Sequence, residues 1–338
     1  MMRKQTIIYV LFVFMAYFSL NAAKANRDLF YKHIEIINRI PISHIGNIRS
    51  VRIDEMENIW ILSSKTFTIN KFNNKGELQL TFGRKGQGPG EFAAPFDFAI
   101  FQSHLYVTDV IQIKIHIFSD NGKYIRSFKI RDGRKIHVVD KHTILLAAPW
   151  SDNGKDFFCI HQYVDEKLTN SFFPLSNIVK ENKLIYDSVF FDMDENKNIY
   201  CIQGMDYNVF KYNSSNVLIK NFATKNDYYI SPPSTPFSDF YSRPKLSNWI
   251  KSWTHISDIM VFRNLILVNL NDSASETYFI DIYGPEGEFQ VGGLETKYRL
   301  INANSNGFLY FIDDSLIQST GDGDYNILKC AIKCKKLN

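Results

Sequence analysis

The stretch Phe82-Gly83-Arg84-Lys85-Gly86-Gln87-Gly88-Pro89-Gly90-Glu91-Phe92-Ala93-Ala94-Pro95 decides how the rest of the chain is read. It holds four glycines and two prolines in fourteen residues, between two apolar, strand-like runs. Glycine reaches backbone angles closed to other residues, and proline fixes its own φ. The stretch therefore reads as a shaped crossing loop. It is not a phosphate loop: no Lys-Ser or Lys-Thr follows it, Pro89 removes a donor N–H, and a strand-like segment comes next.

Working outward, the same unit appears on both sides. Before the loop come Val51-Arg52-Ile53-Asp54, Asn58 to Leu62 and Thr68 to Phe72, then a turn at Asn74-Lys75-Gly76-Glu77 and a run from Leu78 to Phe82. After it come Leu105-Tyr106-Val107, Lys114 to Phe118, a turn at Asp120-Asn121-Gly122-Lys123, and Tyr124 to Phe128. Alternating apolar residues around glycine turns are hairpin signals. The aromatic or long side chain closing each third strand falls at Phe72, Phe118, Tyr163, Tyr212, Tyr283 and about Lys329, in steps of 46, 45, 49, 71 and 46. Four near-equal steps and one stretched step mean six repeats with one insertion. The fold class is all-β, a six-bladed β-propeller of four-stranded blades. The last repeat ends before a fourth strand. The run Ile34 to Ile40 can supply it, so that the N-terminal strand closes the last blade and covers an open edge.

The first 25 residues are read as a cleaved signal peptide: basic Arg3 and Lys4, an apolar run from Ile7 to Leu20, and Ala23-Lys24-Ala25 as the cleavage site. The run is too short for a membrane span, so residues 26–338 form the propeller domain, secreted or periplasmic, with no span after cleavage. No cysteine precedes Cys159, so no lipoprotein anchor is expected. The whole chain carries 39 Lys and Arg against 35 Asp and Glu. Loss of Arg3, Lys4 and Lys24 leaves 36 against 35, which gives no case for nucleic acid. Cys330 and Cys334 on one strand would lie roughly 13 Å apart, too far for a disulfide without a turn. Buried free thiols are the other reading.

The stretched step places an insertion at about 224–254, between blades four and five. Its prolines argue against a regular strand, and Lys245 to Trp253 reads as a short helix with Trp249 and Trp253 on one face. It is either a lid over the central mouth or a patch packed on blades four and five.

Crossing loops and second-to-third-strand loops emerge on the same face of a propeller. That face would gather Arg84, Lys85, Arg131, Arg134, Trp150, Tyr207, His255 and Arg299. Cations and aromatic rings around a funnel suit a glycan or an anionic small molecule. The same residues are also what polar surface loops ordinarily carry. Nucleophilic catalysis lacks a Gly-x-Ser-x-Gly elbow, and no catalytic residue is assigned. The segment Asp192 to Asn196 imitates a calcium loop, but Lys197 stands where glycine is required. No cofactor is predicted on the binding reading. A divalent metal enters only on the alternative, with His44, His137 and His255 from different blades as its ligands.

The loop pattern from Gly83 to Phe92, the repeat and the leader together resemble the exported six-bladed β-propeller family of Bacteroidota, which is NHL-repeat-like. The Gly-Pro-Gly-Glu element is not repeated in blades three to six, a departure from that pattern. The resemblance implies the fold and export, and it carries over no catalytic residue. The functional expectation is a non-catalytic ligand- or protein-binding module. The alternative is a metal-assisted lyase or hydrolase at the central funnel, by similarity to propeller lyases.

Overall fold

A computed structural model describes residues 29–151, 154–182, 188–224, 226–234, 242–313 and 324–333. The proposed leader and Cys334 lie outside these residues. Among the described residues twenty-four strands form six four-stranded antiparallel sheets arranged in sequence order. Blade one runs through Ile48–Ile53, Ile59–Ser63, Thr68–Phe72 and Leu78–Phe82. Blade two follows with Pro95–Phe101, His104–Asp109, Lys114–Ser119 and Tyr124–Lys129. Blade three comprises Lys135–Val138, Thr143–Trp150, Phe158–Val164 and Lys167–Pro174. Blade four comprises Val189–Met193, Ile199–Gln203, Asp206–Tyr212 and Leu218–Phe222. Blade five comprises Thr254–Phe262, Leu265–Asp272, Thr277–Tyr283 and Phe289–Val291.

Blade six takes Arg299–Ala303, Leu309–Asp313 and Tyr325–Ile332, and its outer strand is Ile34–Ile42 from the other end of the chain. These last two strands pair from Ile34 opposite Ile332 to Ile42 opposite Tyr325, so the ring is closed by backbone hydrogen bonds as expected.

Each junction between neighbouring blades encloses its own apolar cluster. Trp60, Phe92, Phe98 and Phe118 fill the space between blades one and two, and Ile40, Ile61, Tyr310 and Ile327 that between six and one. Stability therefore comes from six face-to-face sheet contacts around the ring, each burying both partners' alternate side chains.

The Gly83 loop is the connector it was read to be. Gly83 and Gly90 have φ of 86° and 75°, and a Cβ on Gly83 would stand 2.5 Å from the Phe92 ring. The Glu91 carboxylate accepts from the Gly88 N–H at 2.9 Å and from Arg84 Nε at 2.8 Å. From blade two, Asp109 accepts the N–H groups of Ala93, Ile111 and Gln112 at 2.6, 3.1 and 2.9 Å.

The described residues of the insertion pack on blades three to five. Its helix is Arg243–Ile250, starting earlier than read because Pro244 fits the first turn, where no N–H bond is lost. Trp253 lies beyond the helix yet still meets Trp249 edge-on at 5.5 Å. Both join the cluster between blades three and four. Cys159 and Cys201 are buried free thiols in that same cluster, and Cys330 is a third, between blades five and six.

Candidate functional site

The inner strands of all six blades surround an axial cavity of about 480 Å³. It extends to Ile53 and Val138, the last residues of their strands, and to Ser305 in the turn after blade six's inner strand. The cavity thus follows the half of the axis toward the first-to-second-strand turns, away from the crossing loops.

Four of the inner strands are irregular. In blades one, two, five and six the pairing of first and second strands slips by one residue, immediately before Ser50, Asp97, Asp258 and Asn302. A bulge of this kind re-aims the side chain that follows it. Asp97 is buried, and both its oxygens accept from Arg52 Nη2, at 2.8 and 2.9 Å. It also accepts from the Ser50 hydroxyl at 2.5 Å and the Ile136 N–H at 3.1 Å. This one carboxylate thereby ties blades one, two and three together. Lys135 reaches past blade four, over the Phe190 ring at 5.1 Å, to both oxygens of Asp258 in blade five, at 2.9 and 2.8 Å.

The third pair is His137 and Asp192, with Nδ1 and Oδ1 3.8 Å apart. Asp192 accepts the N–H groups of Met193 at 2.9 Å and Val261 at 2.8 Å. Burial raises the Asp192 pKa, Asp258 acts the same way, and His137 opposes both. Burial lowers that of His137, against the attraction of Asp192. Removal of either charge from water is the dominant cause on both sides of the pair.

Of the residues expected on the crossing-loop face, the structure brings some together. Arg131 lies over the Trp150 ring at 4.7 Å, and Trp150 lies over His161 at 4.5 Å. Arg134 starts at the top of blade three, where its charge joins burial in lowering the pKa of Arg49, whose guanidinium rests 3.5 Å from the Phe96 ring. Others go elsewhere. Arg84 is bound to Glu91 within its own loop, and Lys85 lies 5.5 Å from the Phe67 ring. The Tyr207 hydroxyl turns into the junction of blades four and five, bonding to Asp281 and Tyr283. Tyr207 also lines a separate open hollow of about 1010 Å³ beside the insertion. His255 is buried against Trp253 at 3.7 Å, with Nε2 bonded to the Ile250 carbonyl at 2.7 Å. Arg299 opens the inner strand of blade six.

The three histidines of the metal alternative do not converge. His137 lines the axis, His255 is packed under the insertion, and His44 lines an outer groove with Pro41, Thr68 and Asn70. Among the described residues no three His, Cys, Asp or Glu side chains form a group able to hold a metal ion. The axial residues that sequence reading passed over are Arg52, Asp97, Lys135, Asp192 and Asp258. Their signal was a polar residue interrupting each apolar inner strand, as in Val51-Arg52-Ile53 and Phe191-Asp192-Met193.

Comparison with known proteins agrees with this architecture. A family model described as a 6-bladed beta-propeller, DUF5128, matches residues 31–132. No curated protein matches the sequence. A Bacteroides fragilis protein described as exported superposes with a TM-score of 0.64 at 12% identity, over 90% of this chain and 96% of its own. A DUF4221 family member from Bacteroides vulgatus gives 0.64 at 11%, over 89% and 99%. Virginiamycin B lyase from Staphylococcus aureus gives 0.50 at 13%, over 81% of each chain. Among the described residues no helix is long and apolar enough to cross a membrane. From its first blades, which match the family model, to its ring of six sheets, the chain is a six-bladed β-propeller similar in fold to these two Bacteroides proteins.

Proposed function

We propose that this protein is an exported propeller that binds a small polar ligand in its axial cavity without transforming it. The observation that carries the reading is the cavity itself: about 480 Å³, bounded by every inner strand, with Lys135, His137, Asp192 and Asp258 on its wall beside Phe191 and Met260. A concave volume of this size with placed polar groups is that of a small-molecule site. Lys135 and Asp258 are satisfied by each other, so they offer hydrogen bonds and charge to a guest rather than a reactive group. The test is thermal unfolding of the purified protein against a panel of glycans, carboxylates and amines. A ligand that binds only the folded state raises the midpoint by mass action. We expect at least one such rise, lost in Lys135→Met or Asp192→Asn. A panel without effect, or a rise that both variants keep, would remove the axial site from consideration.

One observation favours a second reading. His137 and Asp192 form a half-buried acid–base pair on the axis, and perturbed pairs in cavities are candidates for proton transfer. A propeller lyase would use such a pair at the funnel, with or without a divalent ion. Turnover of virginiamycin B, measured with and without added divalent ions, tests it; no product in either case counts against it.

A further inference from the structure

The charges along the axis are not evenly matched, and the mismatch points to the class of ligand. Arg52 is fully engaged. Besides gripping Asp97, its Nη1 donates to the Val51 carbonyl at 2.9 Å and the Ser50 hydroxyl at 3.1 Å. Lys135 is likewise committed to both oxygens of Asp258. The remaining acid, Asp192, has no such counterpart among the described residues. It accepts from two backbone N–H groups, at 2.9 and 2.8 Å, and lies 3.8 Å from an imidazole, beyond hydrogen-bond reach. Burial keeps that imidazole toward its neutral form. Asp258 lies close enough to repel Asp192. Among the described residues the side of the cavity made by blades four and five thus holds two carboxyl groups and one cation, already paired; burial and Asp258 favour the protonated form of Asp192, and a cation seated on it would oppose both. The side chain of Asp192 is still 29% exposed, so a guest can reach it. The rest of the wall that blades four and five contribute is apolar: Phe191, Ile259 and Met260.

We infer that the axial cavity takes a ligand carrying one protonated amine on an apolar body, its ammonium seated on Asp192 and its body against Phe191 and Met260. This rests on the axial-site reading above and narrows it. A carboxylate guest would meet Asp192 and Asp258 with both available cations already paired. A bare metal ion would want three or more ligating side chains, which are not gathered here among the described residues. An ammonium needs only a carboxylate and neighbouring acceptors, and a buried charge-assisted hydrogen bond is the strong kind.

The test uses three isosteric probes on the full chain at pH 7: 2-phenylethylamine, 2-phenylethanol and 3-phenylpropionate. Binding is read by saturation-transfer NMR and by the thermal midpoint. The amine is expected to bind at least about tenfold more tightly than the alcohol, and the propionate not to bind. Asp192→Asn should remove the preference for the amine. Because Asp192 accepts from blade five, that variant can also lose stability. Ser305→Arg, at the exposed cavity rim, is the second variant, and it should weaken the amine while leaving the fold intact. Equal binding of amine and alcohol, or binding of the propionate, would overturn the inference while leaving the cavity as a site. If none of the three binds but a glycan from the wider panel does, and Lys135→Met abolishes it, the inference falls and the axial reading stands. If nothing binds, both fall.

Discussion

At the scale of single residues, the informative groups are those buried against their chemistry. His116 lies between blades one and two with 1% of its surface exposed, and neither ring nitrogen has a hydrogen-bond partner. Phe92 meets it edge-on at 5.5 Å, and Phe118 and Tyr124 are the other rings around it. Burial lowers its pKa, Lys114 adds to this, and Asp109 opposes. His161 is lowered to about 4 because it is buried, with Arg131 adding to this and its bond to the Ala148 carbonyl opposing. In the window between about 4 and the ordinary 6.5 of histidine, the unfolded chain binds more protons than the folded one. Stability therefore rises with pH across that window and is lost as pH falls through it. His116→Phe removes a buried polar group without removing a hydrogen bond. It should raise the thermal midpoint, and by more at pH 5 than at pH 8. Equal shifts at the two pH values would show that His116 does not titrate on unfolding.

A different kind of residue recurs by position. Asp54 accepts from the Asn58 N–H and side chain and from Trp60 Nε1, at 2.8, 2.9 and 2.9 Å. In blade four Asp194 holds Asn198 and Tyr200 the same way, and in blade six Asn304 holds Phe308 and Tyr310. Each fastens a first-to-second-strand turn to the aromatic residue two places beyond the turn. This spacing was present in the sequence as Asp-x-x-x-Asn-x-aromatic in blades one and four and as Asn-x-x-x-Phe-x-Tyr in blade six.

At the scale of elements, the insertion is held by one buried carboxylate. Asp281, on the third strand of blade five, is fully buried. It accepts from the hydroxyls of Tyr207 and Tyr228, from Asn226 Nδ2 at 2.6 Å and from the Gly293 N–H at 2.9 Å. Tyr228 and Asn226 belong to the insertion, and Tyr207 to blade four, so the three parts meet on one side chain. Removing one member of such a network leaves its donors unpaired. Asp281→Ala should cost about 3 kcal/mol in denaturant unfolding, and amide exchange at Asn226 to Tyr229 should quicken more than in blade two. Uniform acceleration across the molecule would mean that Asp281 stabilises blade five alone.

At the scale of the whole molecule, closure joins the two ends of the chain. The nine residues Ile34–Ile42 pair along Tyr325–Ile332. Phe30, Ile34, Ile40 and Ile42 are buried on both flanks of blade six. A protein beginning at Ser43 would lose these contacts and expose the edge of Tyr325–Ile332. It should lose its cooperative unfolding transition and associate. A synthetic peptide of residues 29–42 added in trans should restore the transition by β-strand addition. A truncated chain with the full-length midpoint would show that five blades and a three-stranded sixth suffice.

What the sequence determined by itself is what local chemistry repeats. Alternating strands, glycine turns and an aromatic every 46 residues or so specify blades, their number and the missing strand, because each of these depends on neighbours in the chain. The Gly83 to Glu91 loop was legible for the same reason. What only the tertiary structure decided is the axis. Asp192 and Asp258 face it from two blades, and Asp258 does so after a bulge that breaks the alternation used to read strands. Arg131 and Trp150 met as their shared blade allowed, whereas Tyr207 and His255 turned inward to partners 74 and 5 residues away. Which polar side chain reaches the centre depends on how six sheets pack around it, and no local pattern in the sequence records that distance.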